Sequence, residues 1–130
     1  MVEHNLYELT HDTLSWRRYI AAQLARDMDY KFFGVKNIYL FGSVENGSTG
    51  IGSDIDLIIY TDNTKEQNQL LLTWLDGWNK SLCHFNYLIT GLKSEFMLDI
   101  HLVDDNDIKQ NTTFASKLSS VYEPVELLRA

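Results

Sequence analysis

Leu40-Phe41-Gly42-Ser43-Val44-Glu45-Asn46-Gly47-Ser48-Thr49-Gly50-Ile51-Gly52-Ser53-Asp54-Ile55-Asp56-Leu57-Ile58-Ile59 sets two apolar runs on either side of a polar, glycine-rich loop. The first run, Val35 to Phe41, alternates and is rich in β-branched and aromatic residues, which predicts a strand. The second, Ile55 to Tyr60, is apolar almost throughout, which predicts a strand buried on both faces. Between them, residues 42–53 hold four glycines and three serines. Ten residues separate Ser43 from Asp54, and Asp54 and Asp56 open the second strand.

The residue types at these places suit a metal-bound nucleoside triphosphate. Side chains two apart on a strand leave the same face, with backbone positions roughly 6–7 Å apart. Asp54 and Asp56 can therefore converge on one or two cations. Mg²⁺ takes oxygen ligands and completes its shell with phosphates and water. Two such ions can stabilise both the attacking and the leaving oxygen of a phosphoryl displacement. Gly42 lets backbone approach a phosphate without a Cβ in the way. Ser43 offers a hydroxyl and an N–H, and successive N–H groups in such a turn make an anion-binding concavity.

Outward from this segment, the pattern predicts a helix, two strands, a helix and a third strand. Leu14, Tyr19 or Ile20, Leu24 and Met28 recur at helical spacing after His11-Asp12-Thr13, with Gly34 as the stop. Asp62-Asn63-Thr64 offer caps for a second helix, with Glu66 in its first turn and Leu71, Leu72, Leu75 and Trp78 as its apolar stripe. A break is expected near Gly77, with another helix over 79–90 and a turn over Gly91 to Ser94. Phe96 to Val103 alternates as a third strand, with Met97, Asp99, His101 and Val103 on one face. The tail is expected to hold a short helix and an extended end around Pro124. The sum is an α/β (α+β) chain, a small mixed β-sheet flanked by helices, read as a single domain over residues 1–130.

Asp99 is the candidate third acid. A carboxylate inside an otherwise apolar strand calls for a partner or a metal. If the third strand neighbours the second, Asp99 joins Asp54 and Asp56, as general base or metal ligand. His101 shares its face and could orient it, against a plain structural role. Asp104 is a rival acid, better read with Asp105 and Asp107 as a solvated turn. Lys65 and Lys93 are candidate phosphate contacts, and Asn86 and Tyr87 candidate base or acceptor contacts. Each of these four has a simpler reading as a surface or packing residue. Trp74 and Trp78 fit helical packing better than base stacking.

Gly42-Ser43, ten residues, then Asp54-Ile55-Asp56 resembles the signature of the polymerase-beta-like nucleotidyltransferase superfamily, in its minimal, stand-alone form. The resemblance covers residues 35–60 closely and 94–104 more loosely. It implies a two-metal, Mg²⁺-dependent transfer of a nucleoside monophosphate from an NTP, with ATP the expected donor, to a hydroxyl on a protein or small molecule, with pyrophosphate released. By position Gly42 and Ser43 would bind the triphosphate, and Asp54, Asp56 and Asp99 would be the catalytic and metal-holding acids. Minimal members of the family often work with a helical partner protein, sometimes as an antitoxin.

The family often has an arginine shortly after the Gly-Ser pair, where this chain has Glu45. That departure motivates an alternative: a catalytically weak or inactive nucleotide-binding partner, an antitoxin-like interaction module. A nuclease or phosphatase using the same acids is a third class, in which the Gly-Ser turn would lack a purpose. The net charge of −7, from 18 acidic and 11 basic residues, argues against long contacts with a nucleic-acid backbone. No run approaches the ~20 apolar residues of a membrane span. The first thirty residues lack the pattern of a secretory signal. One cysteine, Cys83, excludes an internal disulfide. A cytoplasmic setting is the expectation.

Overall fold

The computed structural model describes residues 13–41, 55–112, 115 and 125–128. Helix α1, Thr13–Asp27, is rich in strong helix formers, with Ala21, Ala22, Gln23, Leu24 and Ala25 in succession. Its buried face is Trp16, Arg17, Ala21, Leu24 and Ala25. Tyr19 is exposed at 43%, while Ile20 packs against the core. The helix stops short of Gly34. Asp29 restarts the chain as an N-cap, accepting from the Phe32 N–H at 3.0 Å, and α2 spans Tyr30–Phe33. Gly34 then ends α2 in the left-handed region, φ 68°, where a Cβ would lie 2.5 Å from that of Asn63. Only glycine fits this close crossing of chains.

Strand β1, Val35–Phe41, pairs antiparallel with β2, Ile55–Thr61. Leu57, Ile58 and Ile59 are fully buried, so both faces of β2 are covered, as its apolar run predicts. Helix α3 follows over Lys65–Thr90, capped by Thr64 in a reciprocal capping box with Gln67. It runs unbroken through Gly77, where the sequence suggests a break. Gly77 is exposed, with nothing within 4 Å of a notional Cβ. The cost of one exposed helical glycine, about 1 kcal/mol, is small beside the packing of the apolar stripe on either side. Leu71, Leu75 and Leu82 are buried, but Leu72 is exposed at 45%. Trp74 and Trp78 meet each other edge to face and pack, partly buried, against the core. Gly91 caps α3 in the left-handed region, φ 73°.

Strand β3, Leu98–Val103, returns parallel to β2. Helix α4, Asp105–Gln110, and strand β4, Val125–Leu127, complete the described chain. The sheet order is β3-β2-β1-β4, and β4 runs antiparallel to β1. This is the expected small mixed sheet with helices. A parallel β2–β3 pair needs a crossover, and α3 supplies it.

Two apolar clusters sandwich the sheet. Ile38, Leu40, Ile55, Leu57, Ile59 and Leu98 face the larger one, which takes in α1 and α3. Phe41, Ile58, Val103 and Ala115 form the smaller one on the opposite face. Among the described residues, no helix is long and apolar enough to cross a membrane.

Candidate functional site

The period-2 alternation of β2 puts Asp56, Ile58 and Tyr60 on one face, and that of β3 puts Asp99, His101 and Val103 on one face. The parallel register pairs Asp56 with Asp99, Ile58 with His101 and Tyr60 with Val103. The two acids are thus direct cross-strand neighbours, each the second residue of its strand. On the other side of β2, Phe41 lies opposite Asp56. Phe41 is the last described residue before Gly42. Gly42, Ser43, Glu45 and Asp54 lie outside the described residues.

Neighbouring strands are about 5 Å apart. Two full charges at that distance repel by about 3 kcal/mol at an effective dielectric of 20, less where water screens them. Asp99 is such a place, with its side chain 48% exposed. Each acid has a nitrogen close by. The Arg17 Nη2 lies 3.5 Å from Asp56 Oδ2. His101 Nε2 lies 3.2 Å from Asp99 Oδ2, and the His101 ring meets Phe41 edge to face at 5.6 Å. His101 is thus within hydrogen-bond reach of Asp99 and in ring contact with Phe41.

A buried asparagine sets the position of β3. Asn79 of α3 accepts at Oδ1 from the N–H groups of Met97 and Leu98, at 2.7 and 3.0 Å. Its Nδ2 donates to the Glu95 carbonyl at 3.0 Å. Met97 O in turn accepts from the Ile55 N–H at 2.8 Å. The entry to both acid-bearing strands is pinned by these bonds, one residue before each acid.

The other candidates fall elsewhere. Asp104 caps α4 in a reciprocal box with Asp107, at 2.9 and 3.0 Å, and Asp105 meets Lys36 and Tyr60. These acids are the exposed group expected, made into a helix cap rather than a turn. Asn86 is buried and donates to the Leu92 carbonyl at 3.1 Å, which closes the turn after α3. Lys93 lies 5.9 Å from the centre of the Tyr87 ring, and Lys65 is exposed at the start of α3.

Arg17 is the residue that sequence reasoning missed. A signal was present: 17, 21, 24 and 28 form one helical stripe, and Arg17 is the charged member of it.

The donor chemistry fits a hard cation. Asp56 and Asp99 offer carboxylate oxygens, the ligand type Mg²⁺ takes, and Cys83 lies apart on α3. Among the described residues, no three His, Cys, Asp or Glu side chains gather in metal-holding geometry.

The sequence matches the nucleotidyltransferase domain family over residues 22–115, and the chain belongs to that family. No protein of curated function matches it significantly. Two solved structures resemble it in shape. One is a Sulfolobus solfataricus protein designated a candidate nucleotidyltransferase, 16% identical, with a TM-score of 0.44 over 87% of this chain and 86% of that one. The other comes from a complex of a tri-AMPylated Shewanella oneidensis HEPN toxin with an MNT antitoxin. It is 12% identical, with a TM-score of 0.38 over 86% of this chain and 71% of that one. The family assignment rests on the sequence match.

Proposed function

We propose that this protein transfers a nucleoside monophosphate from an NTP, ATP foremost, to a hydroxyl on a protein or small molecule and releases pyrophosphate. The observation that carries this reading is the register pair Asp56–Asp99 at the head of two parallel strands, in a chain of the nucleotidyltransferase domain family. Asp56, Asp99 and Asp54 would hold Mg²⁺. The cation would supply charge neutralisation at the α-phosphate and at the leaving pyrophosphate. Gly42 and Ser43 would bind the triphosphate through backbone N–H groups and the Ser43 hydroxyl.

Asp99 is the half-exposed acid of the described pair, so an acceptor hydroxyl can reach it. Its carboxylate would take the hydroxyl proton as the oxygen attacks.

The test is incubation with Mg²⁺, α-labelled ATP and cell extract, reading label transfer and pyrophosphate. Wild type labels a macromolecule or metabolite. Asp56→Asn and Asp99→Asn each lower the rate by about 10²–10³-fold, the several kcal/mol of charge stabilisation such acids support. Nucleotide binding without any transfer, in wild type and variants alike, would favour the inactive partner reading that Glu45 motivates. Release of orthophosphate instead of pyrophosphate would favour a hydrolase.

A further inference from the structure

We infer that Arg17 is a positioning residue for Asp56, acting from α1 on the carboxylate that the proposed function assigns to the cation. The inference rests on that reading of the site. Its side chain is 1% exposed, against 19% for Asp56. Arg17 occupies the apolar stripe that runs on through Ala21 and Leu24 into the main core. A methionine or leucine would fill that place with no charge to desolvate. Packing alone therefore gives no reason for a guanidinium there. The pairing gives one: Nη2 reaches Asp56 Oδ2 at 3.5 Å, across 39 positions of sequence.

Three consequences follow from the chemistry of the group. A guanidinium stays charged at every accessible pH, so its hold on the carboxylate does not come and go with its own protonation. Its contact uses Oδ2, and a carboxylate has lone pairs enough for a cation as well. Its stem is held by helix packing, so it fixes the carboxylate's rotamer instead of following it. Partners of this kind orient metal-holding groups, and their loss costs 10–100-fold in metal affinity.

The test is Mn²⁺ binding, with a non-hydrolysable ATP analogue present, followed by electron paramagnetic resonance. Wild type, Arg17→Met, Arg17→Lys, Asp56→Asn and the Arg17→Met/Asp56→Asn double variant are compared. Arg17→Met is expected to fold with a lowered Tm and to bind Mn²⁺ about 10–100-fold more weakly. Arg17→Lys, which keeps the charge without the planar fork, falls between. In the Asp56→Asn background the Arg17→Met change adds little, because its target is gone.

A purely structural arginine would lower Tm and leave the affinity of the folded protein alone. Folded Arg17→Met that binds Mn²⁺ within twofold of wild type overturns the inference. Should Arg17→Met not fold, the decision passes to the wild-type protein with isotope-labelled arginine. There the Arg17 guanidinium resonances shift when Mg²⁺ joins the bound analogue, and unchanged resonances overturn the inference. A wild type that binds no Mn²⁺ at all is a different outcome: it overturns the metal-dependent function, and the role of Arg17 with it.

Discussion

Tyr60, Lys36 and Asp105 meet on the same sheet face as the acids but at the far end of β2, and their chemistry is the reverse of the site's. Tyr60 donates its hydroxyl to Asp105. Lys36 Nζ lies 3.4 Å from Asp105 Oδ2 and 4.8 Å from the centre of the Tyr60 ring. The Tyr60 hydrogen bond holds Asp105 below its ordinary value, with Lys36 adding to the effect. The hydrogen bond to Asp105 raises Tyr60, with burial adding, and the bond to Tyr60 raises Lys36. The signs set a pH window. Asp105, lowered, stabilises the fold above the usual carboxylate range, and that contribution fades as pH falls through its lowered value. Tyr60 and Lys36, raised, contribute below about pH 10, and that is lost as pH climbs through their raised values. The triad thus stays closed across the neutral range. In an alkaline absorbance titration, one of the seven tyrosines should ionise late. Tyr60→Phe should remove that late component, and Asp105→Asn should bring it earlier. A late component that survives Tyr60→Phe would assign the shift to another tyrosine.

Helix α3 is the element on which the site's precision depends, and Asn79 is where it acts. One side chain satisfies two N–H groups and one carbonyl at the entry to β3. Removing it strands those groups in a largely buried place, at about 1–3 kcal/mol for each lost partner, partly relieved by relaxation. Asn79→Ala should therefore lower unfolding free energy by about 3 kcal/mol in urea. It should also cut transfer activity more than an equally destabilising change elsewhere in the core, such as Leu24→Ala on α1, measured where both are fully folded. Equal activity in the two would mean that β3 keeps its register without Asn79. The three strands, the Thr64 cap and the Asp99 face were legible because period-2 alternation and capping chemistry are local. Asn79 was not, since its partners lie 16 to 19 positions away. Arg17 lies on the face that Leu14, Leu24 and Met28 mark, but a stripe drawn through apolar residues alone passes over it, and its partner Asp56 is 39 positions away. The continuity of α3 past Gly77 was hidden for a different reason. A glycine's local preference is visible in sequence, but the tertiary packing that outweighs it is not.

At the scale of the whole molecule, the acids belong to a chain that is already anionic, with a net charge of −7. Like charge distributed over a small fold opposes compaction, and the register pair Asp56–Asp99 concentrates it at one edge of the sheet. A cation with nucleotide, bound by the folded state alone, should therefore appear as stability. At a ligand concentration 100 times Kd the gain is about 2.7 kcal/mol. For a chain of this length that corresponds to a rise in Tm of about 10 °C. Mg²⁺ and a non-hydrolysable ATP analogue should give this rise together, and chelation of Mg²⁺ should reverse it. Raising ionic strength with NaCl, at fixed ligand, gives the control, because general screening of surface charge needs no nucleotide. The Asp56→Asn/Asp99→Asn double variant sheds a partly screened carboxylate repulsion but takes the Asp56 charge away from the buried Arg17 guanidinium, and the second effect is the larger, so it should be less stable than wild type without ligand. The same variant should lose the ligand-dependent rise. A thermal scan in which the double variant keeps the full Mg²⁺-nucleotide shift would show that the cation binds elsewhere, and would separate the acid pair from the chemistry proposed for it.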